Sequence, residues 1–121
     1  MDGAGRLAAA TSTGGKGFEQ PGRVSDSGLP VGNYANTQTA VSCTGLGEEI
    51  IEEGLAIRIA QQAADGRPLR RAVAMTFRKA RQRQRRFGVI ALDRHGRFTW
   101  ATTQPILLAL AQTPRHLTES F

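Results

Sequence analysis

The 121 residues suffice for one small domain, and 40% hydrophobic with 21% charged residues is ordinary globular composition, which sets aside fibrous and disordered classes. A single cysteine excludes an internal disulfide, so nothing argues for secretion. The opening residues lack the basic and apolar runs of a signal peptide, the apolar run from Ile106 to Ala111 is too short to cross a bilayer, and a cytoplasmic protein is expected.

The formal net charge of +6 is unevenly spread. Residues 67 to 86 hold Arg67, Arg70, Arg71, Arg78, Lys79, Arg81, Arg83, Arg85 and Arg86 and no acid. That is nine of the sixteen basic residues, which leaves seven against all ten acids elsewhere. The basic character belongs to one segment and not to the domain.

In chain order, Arg6 to Ser12 reads as a short strand of small residues ending in the turn Thr11-Ser12-Thr13-Gly14-Gly15. Residues 14 to 38 lack steady periodicity and read as a long functional loop. Thr39 to Cys43 is a second strand. Beyond Gly45 and Gly47 a helix is expected, with Glu48 and Glu49 against its positive end and Ile50, Ile51, Leu55, Ile59 and Ala63 on a buried stripe. Asp65-Gly66-Arg67-Pro68 breaks it. Leu69 to Arg86 reads as a second helix with Leu69, Val73, Thr76 or Phe77, and Ala80 on one side. Phe87 to Leu92 and Arg97 to Thr102 then form a hairpin across Asp93-Arg94-His95-Gly96. The run from Ile106 to Ala111 fits strand or helix by pattern alone. From Thr113 a flexible tail is expected.

Three motifs concentrate chemistry. Hydroxyls beside glycines, in Thr11-Ser12-Thr13-Gly14-Gly15 and Ser42-Cys43-Thr44-Gly45, offer small donors on a backbone that a ligand can approach closely. Between them, Pro21-Gly22-Arg23-Val24-Ser25-Asp26-Ser27 offers an arginine for a carboxylate and an aspartate for an ammonium. The trio suits a zwitterionic amino acid. Each part alone has a plainer meaning: a structural turn at Thr13, a surface ion pair of Arg23 with Asp26, helix capping by Thr44-Gly45. Cys43 fits a small core residue.

The order and spacing of these motifs, with Ala8-Ala9-Ala10 before the first and Tyr34-Ala35-Asn36 and Leu46-Gly47-Glu48 around the last, resemble the plant-type asparaginases and isoaspartyl peptidases. The chain is similar to their β-subunit. The resemblance implies an α+β fold, the β-subunit half of an αββα N-terminal-nucleophile hydrolase sandwich, over residues 1–112, with 113–121 as the tail. It also favours strand for Ile106 to Ala111. Met1-Asp2-Gly3-Ala4-Gly5-Arg6 corresponds to a turn that follows the family's first strand. The nucleophilic threonine would stand about six residues before Met1, because a threonine activated by its own α-amine must be a first residue.

By the same resemblance, Thr13 orients the nucleophile, and Thr44 and Gly45 form the oxyanion hole. Arg23 grips the substrate α-carboxylate, Asp26 holds the α-ammonium, and Gly47 and Gly15 shape the pocket walls. The implied substrates are asparagine or β-aspartyl dipeptides. The implied partner is the α-subunit of the same precursor, in a dimer of αβ heterodimers. Family members often have Gly-Asp-Ser-Pro where this chain has Ser25-Asp26-Ser27-Gly28, so the choice between the two substrates stays open.

No zinc motif, phosphate loop or dinucleotide fingerprint is present, so no cofactor and no metal are expected. His95 and His116 lack ligand spacing, and the sodium ion of many family members lies in the other subunit. Two rivals remain: an inactive truncated paralogue or gene fragment, and a nucleic-acid-binding module built on residues 78–86. Against the second, alternate arginines diverge around a helix, and only Phe77 and Phe87 lie near for base stacking.

Overall fold

The computed structural model describes residues 1–105 and the backbone of residues 109–112 and 117–120. The chain is α+β. Four strands form one antiparallel sheet in chain order, β1 (Asn33–Ala35), β2 (Thr39–Gly45), β3 (Phe87–Asp93) and β4 (Phe98–Thr102). Three helices lie between β2 and β3, namely α1 (Gly47–Glu53), α2 (Leu55–Ala64) and α3 (Leu69–Gln82).

Side chains on a strand alternate between faces, and the sequence uses this alternation sharply. Val41 and Cys43 of β2, with Phe87, Val89 and Ala91 of β3, are buried on the inner face. Ile50, Leu55, Ala56, Ile59 and Ala60 meet them from α1 and α2, and Val73, Phe77 and Ala80 from α3. The Phe77 and Phe87 rings pack edge to face with centroids 5.5 Å apart. Each large aliphatic or aromatic side chain so buried contributes roughly 1.5–3 kcal/mol.

The outer face is different. Ile90 pairs with Trp100 and Leu92 with Phe98, and the Phe98 and Trp100 rings stack at 5.5 Å. Ile90 remains 51% exposed. The N-terminal segment reaches this face: Thr11 Oγ1 and Ser42 Oγ share a hydrogen bond of 2.7 Å, and Ser42 Oγ donates to Ala10 O.

The strand expected from Arg6 to Ser12 does not form a ladder. No neighbouring strand pairs with it among the described residues, and side-chain bonds to Ser42 hold it instead. Before it, Met1 to Arg6 makes the expected turn, in which Asp2 Oδ1 accepts from the backbone of Ala4 and Arg6. The long loop also holds more order than its sequence suggests: a 3-10 turn at Asp26–Gly28 and the three-residue strand β1.

The helix expected beyond Gly45 and Gly47 is two helices. Gly54 adopts φ 56° and ψ 44°, a left-handed conformation that glycine takes without a Cβ penalty, and this separates α1 from α2. The helix expected to reach Arg86 ends at Gln82, and Gln84 turns to φ 55°. That turn delivers arginines to carboxylates. Glu53, only 5% exposed, receives Arg58 Nη1 at 2.7 Å, Arg83 Nη1 at 3.0 Å and Arg85 Nε at 3.2 Å. Arg85 also reaches Glu52 at 2.8 Å.

Burial alone would raise the Glu53 carboxyl, but hydrogen bonds from Arg83 and Arg58 outweigh it and hold the carboxyl below the ordinary 4.5. A depressed folded pKa contributes stability that is complete above the unfolded value and lost as pH falls through the folded one. Resistance of the native protein to urea unfolding is therefore expected to fall below about pH 4.5, and Glu53→Gln to remove part of that slope. At neutral pH the substitution costs about 1–2 kcal/mol, a modest figure because the arginines stay hydrated.

Ala109–Gln112 (β5) pairs antiparallel with Leu117–Ser120 (β6). The strand expected over Ile106 to Ala111 is thus present from Ala109 onward, while residues 106–108 lie outside the described set. So do residues 113–116 and 121 of the expected tail.

Candidate active site

At one end of β2 the N-terminal segment and the sheet enclose an open depression of about 240 Å³. Residues 10–13 line one side, Ser42, Cys43 and Thr44 the floor, and Val89 and Ile90 the other side. Thr13 and Thr44, far apart in sequence, therefore face one space. Thr13 Oγ1 accepts the Gly15 N–H at 3.1 Å, which forms the glycine turn and leaves its own O–H to donate elsewhere. Cys43 is buried on the inner face; burial first, then the Asp26 carboxylate, push its thiol far up, so it is an uncharged core residue.

Gly45 follows Thr44 with φ 134°. A Cβ there would lie 2.5 Å from both Arg86 O and Phe87 Cα, so this backbone approach requires glycine. The turn is pinned from two sides. Leu46 N–H donates to Arg86 O at 2.9 Å, and the Glu49 carboxylate accepts the Arg86 N–H and its guanidinium, the latter at 3.0 Å. Sequence reasoning assigned nothing to Glu49 beyond the helix dipole. Its signal was the near-invisible pairing of an acid in α1 with the last residue of the arginine run.

Asp26 and Gly47 also come together. Asp26 is 8% exposed beneath the start of α1, and a Cβ on Gly47 would stand 2.6 Å from its Oδ1 and 2.5 Å from Ser25 Oγ. Ser25 Oγ donates to Asp26 Oδ1 at 3.2 Å. Cys43 N–H donates to Gly32 O at 2.8 Å, and Gly32 packs on the Asp26 backbone, which ties this carboxylate to β2.

Arg23 stands elsewhere, outside the lining of the depression. Its guanidinium is paired with Glu19, Nε to Oε2, at 3.1 Å. Glu19 was not singled out from the sequence; only its four-residue spacing from both Gly15 and Arg23 pointed to it. Among the described residues, no three His, Cys, Asp or Glu side chains converge as metal ligands do, and no helix is long and apolar enough to cross a membrane.

A hydroxyl-lined depression thus lies on an α+β layer, and Arg23 and Asp26 stand on the loop that precedes β1, outside its lining. A family model described as asparaginase matches residues 1–120. An isoaspartyl peptidase/L-asparaginase of Nostoc is 51% identical over 109 residues, 90% of this chain and 34% of that protein. One of Synechocystis is 48% identical over 113 residues, 93% of this chain and 34% of that protein. A plant-type L-asparaginase of Pyrobaculum calidifontis is 39% identical over 105 residues, 84% of this chain and 35% of its own length. The chain belongs to the asparaginase family, and it spans about a third of the length of these curated relatives.

Proposed function

We propose that residues 1–121 form the β-subunit share of a hydrolase of L-asparagine and β-aspartyl dipeptides. Its nucleophile is an N-terminal threonine that is none of these 121 residues. The observation that carries this reading is the meeting of Thr13 and Thr44 across one depression in a chain of this family. The threonine oxygen attacks the side-chain carbonyl carbon while the threonine's own α-amine takes the proton. The Thr44 hydroxyl and Gly45 N–H stabilise the oxyanion, and Thr13 orients the attacking hydroxyl. Collapse expels ammonia or an amino acid and leaves a β-aspartyl ester, which water hydrolyses to aspartate. Arg23 binds the α-carboxylate, Asp26 the α-ammonium, and Gly47 and Gly15 keep the walls close.

The outer face of the sheet supports the half-sandwich architecture: among the described residues Ile90 is half exposed beside the Phe98–Trp100 stack, as a face meant for a second layer would be. The second layer belongs to the α-subunit part of the precursor, in a dimer of αβ heterodimers in the cytoplasm. The isolated 121 residues are therefore expected to aggregate. A monomeric, cooperatively melting sample of 1–121 contradicts that. The nucleic-acid reading of 78–86 loses support, because Arg83, Arg85 and Arg86 face glutamates and Arg81 donates to Thr102 O.

The test is release of aspartate from L-asparagine and from β-aspartyl-leucine by the native protein purified from its source. Release from either supports the proposal, and release from neither sinks it.

A further inference from the structure

We propose that Glu19 is a positioning residue that holds Arg23 by one edge so that its terminal guanidinium nitrogens are presented to a ligand carboxylate. This rests on the hydrolase reading of the site and adds to it the device that orients carboxylate recognition.

The two Glu19 oxygens serve two different segments. Oε1 accepts the Lys16 N–H at 2.8 Å, and Oε2 pairs with Arg23 Nε at 3.1 Å. Glu19 also packs on the glycine turn that follows Thr13. A Cβ on Gly15 would lie 2.6 Å from Glu19 Cγ and 2.8 Å from Oε1, and Gly15 has φ 68°. One carboxylate thus links the Thr13–Gly15 turn to Arg23.

The nearest approach of the ion pair is at Nε, and a guanidinium presents five N–H donors in a fixed planar fork, the two Nη groups forming its end-on pair. That pair matches a second carboxylate bidentately. The Arg23 and Glu19 side chains are 35% and 29% exposed, so the pair adds little to stability. Its effect is orientation. A free arginine on a glycine-rich loop loses rotamer freedom on binding, and prior immobilisation saves an amount equivalent to about tenfold in affinity.

Glu19→Gln tests this in the native protein, since the amide oxygen still accepts the Lys16 N–H while the ion pair is lost. The ligands are L-aspartate and β-alanine, which is aspartate without its α-carboxylate, titrated by calorimetry beside the steady-state assay. Aspartate is expected to bind about tenfold more weakly to the variant, with β-alanine unchanged, KM raised and kcat within about twofold. Aspartate affinity that is unchanged or tighter overturns the proposal, as does equal weakening of both ligands, which is what mere support of the loop produces. A wild-type protein that binds neither ligand and releases no aspartate overturns the hydrolase reading instead.

Discussion

Thr44→Val is expected to lower kcat by about 10²–10³ while leaving KM within a few fold. Valine has nearly the shape of threonine, and Thr44 lies at the exposed end of β2, so the fold loses little. What it loses is a hydroxyl at the depression shared with Thr13. A donor aimed at an oxyanion is used in the transition state far more than in the ground state, so its removal falls on kcat. Steady-state kinetics on the native protein and the variant, with β-aspartyl-leucine, decide the matter. A variant of full kcat would remove Thr44 from the oxyanion hole.

Gly45→Ala is expected to act through the fold. The backbone at φ 134° is unfavourable for any L side chain, and the added Cβ would stand 2.5 Å from Arg86 O and Phe87 Cα. Neither is a flexible side-chain end that can swing away, so β2 and β3 must part where Gly45 pairs with Phe87. The cost is about 3–5 kcal/mol, a fall in melting midpoint on the order of 10 °C. Activity falls with it, because the Leu46–Arg86 hydrogen bond that holds the turn is stretched. Differential scanning calorimetry checks this, and a midpoint within about 2 °C of the parent contradicts it.

The inner layer was legible because it obeys simple periods. Helical spacing marked Leu55 and Ile59, Cys43 read as a small core residue, and all three ended up in the core. The boundary at Gly54 was not legible, because apolar spacing continues across it and a single left-handed residue leaves no trace in that pattern. Arg6 to Ser12 has strand-like composition, but a strand is made by its neighbour, and no adjoining ladder is present among the described residues. The arginine run read as the end of a helix reaching Arg86; the helix stops at Gln82, and Arg83 and Arg85 reach Glu53, thirty residues earlier or more. Within the site, the motif order identified Thr13, Thr44, Asp26 and Gly47 as candidates, and Thr13 with Thr44 and Asp26 with Gly47 do come together. Glu19 and Glu49 escaped notice because each acts through a backbone N–H and an arginine that only folding brings near.

The most direct measurement is the intact mass and N-terminal sequence of the native protein from its source. A chain that begins with threonine several residues before Met1 is the predicted result, and it makes residues 1–121 the binding and oxyanion part of a self-processed hydrolase. A native chain that begins at Met1, with no threonine ahead of it, contradicts the proposed mechanism and leaves the pocket to an inactive paralogue.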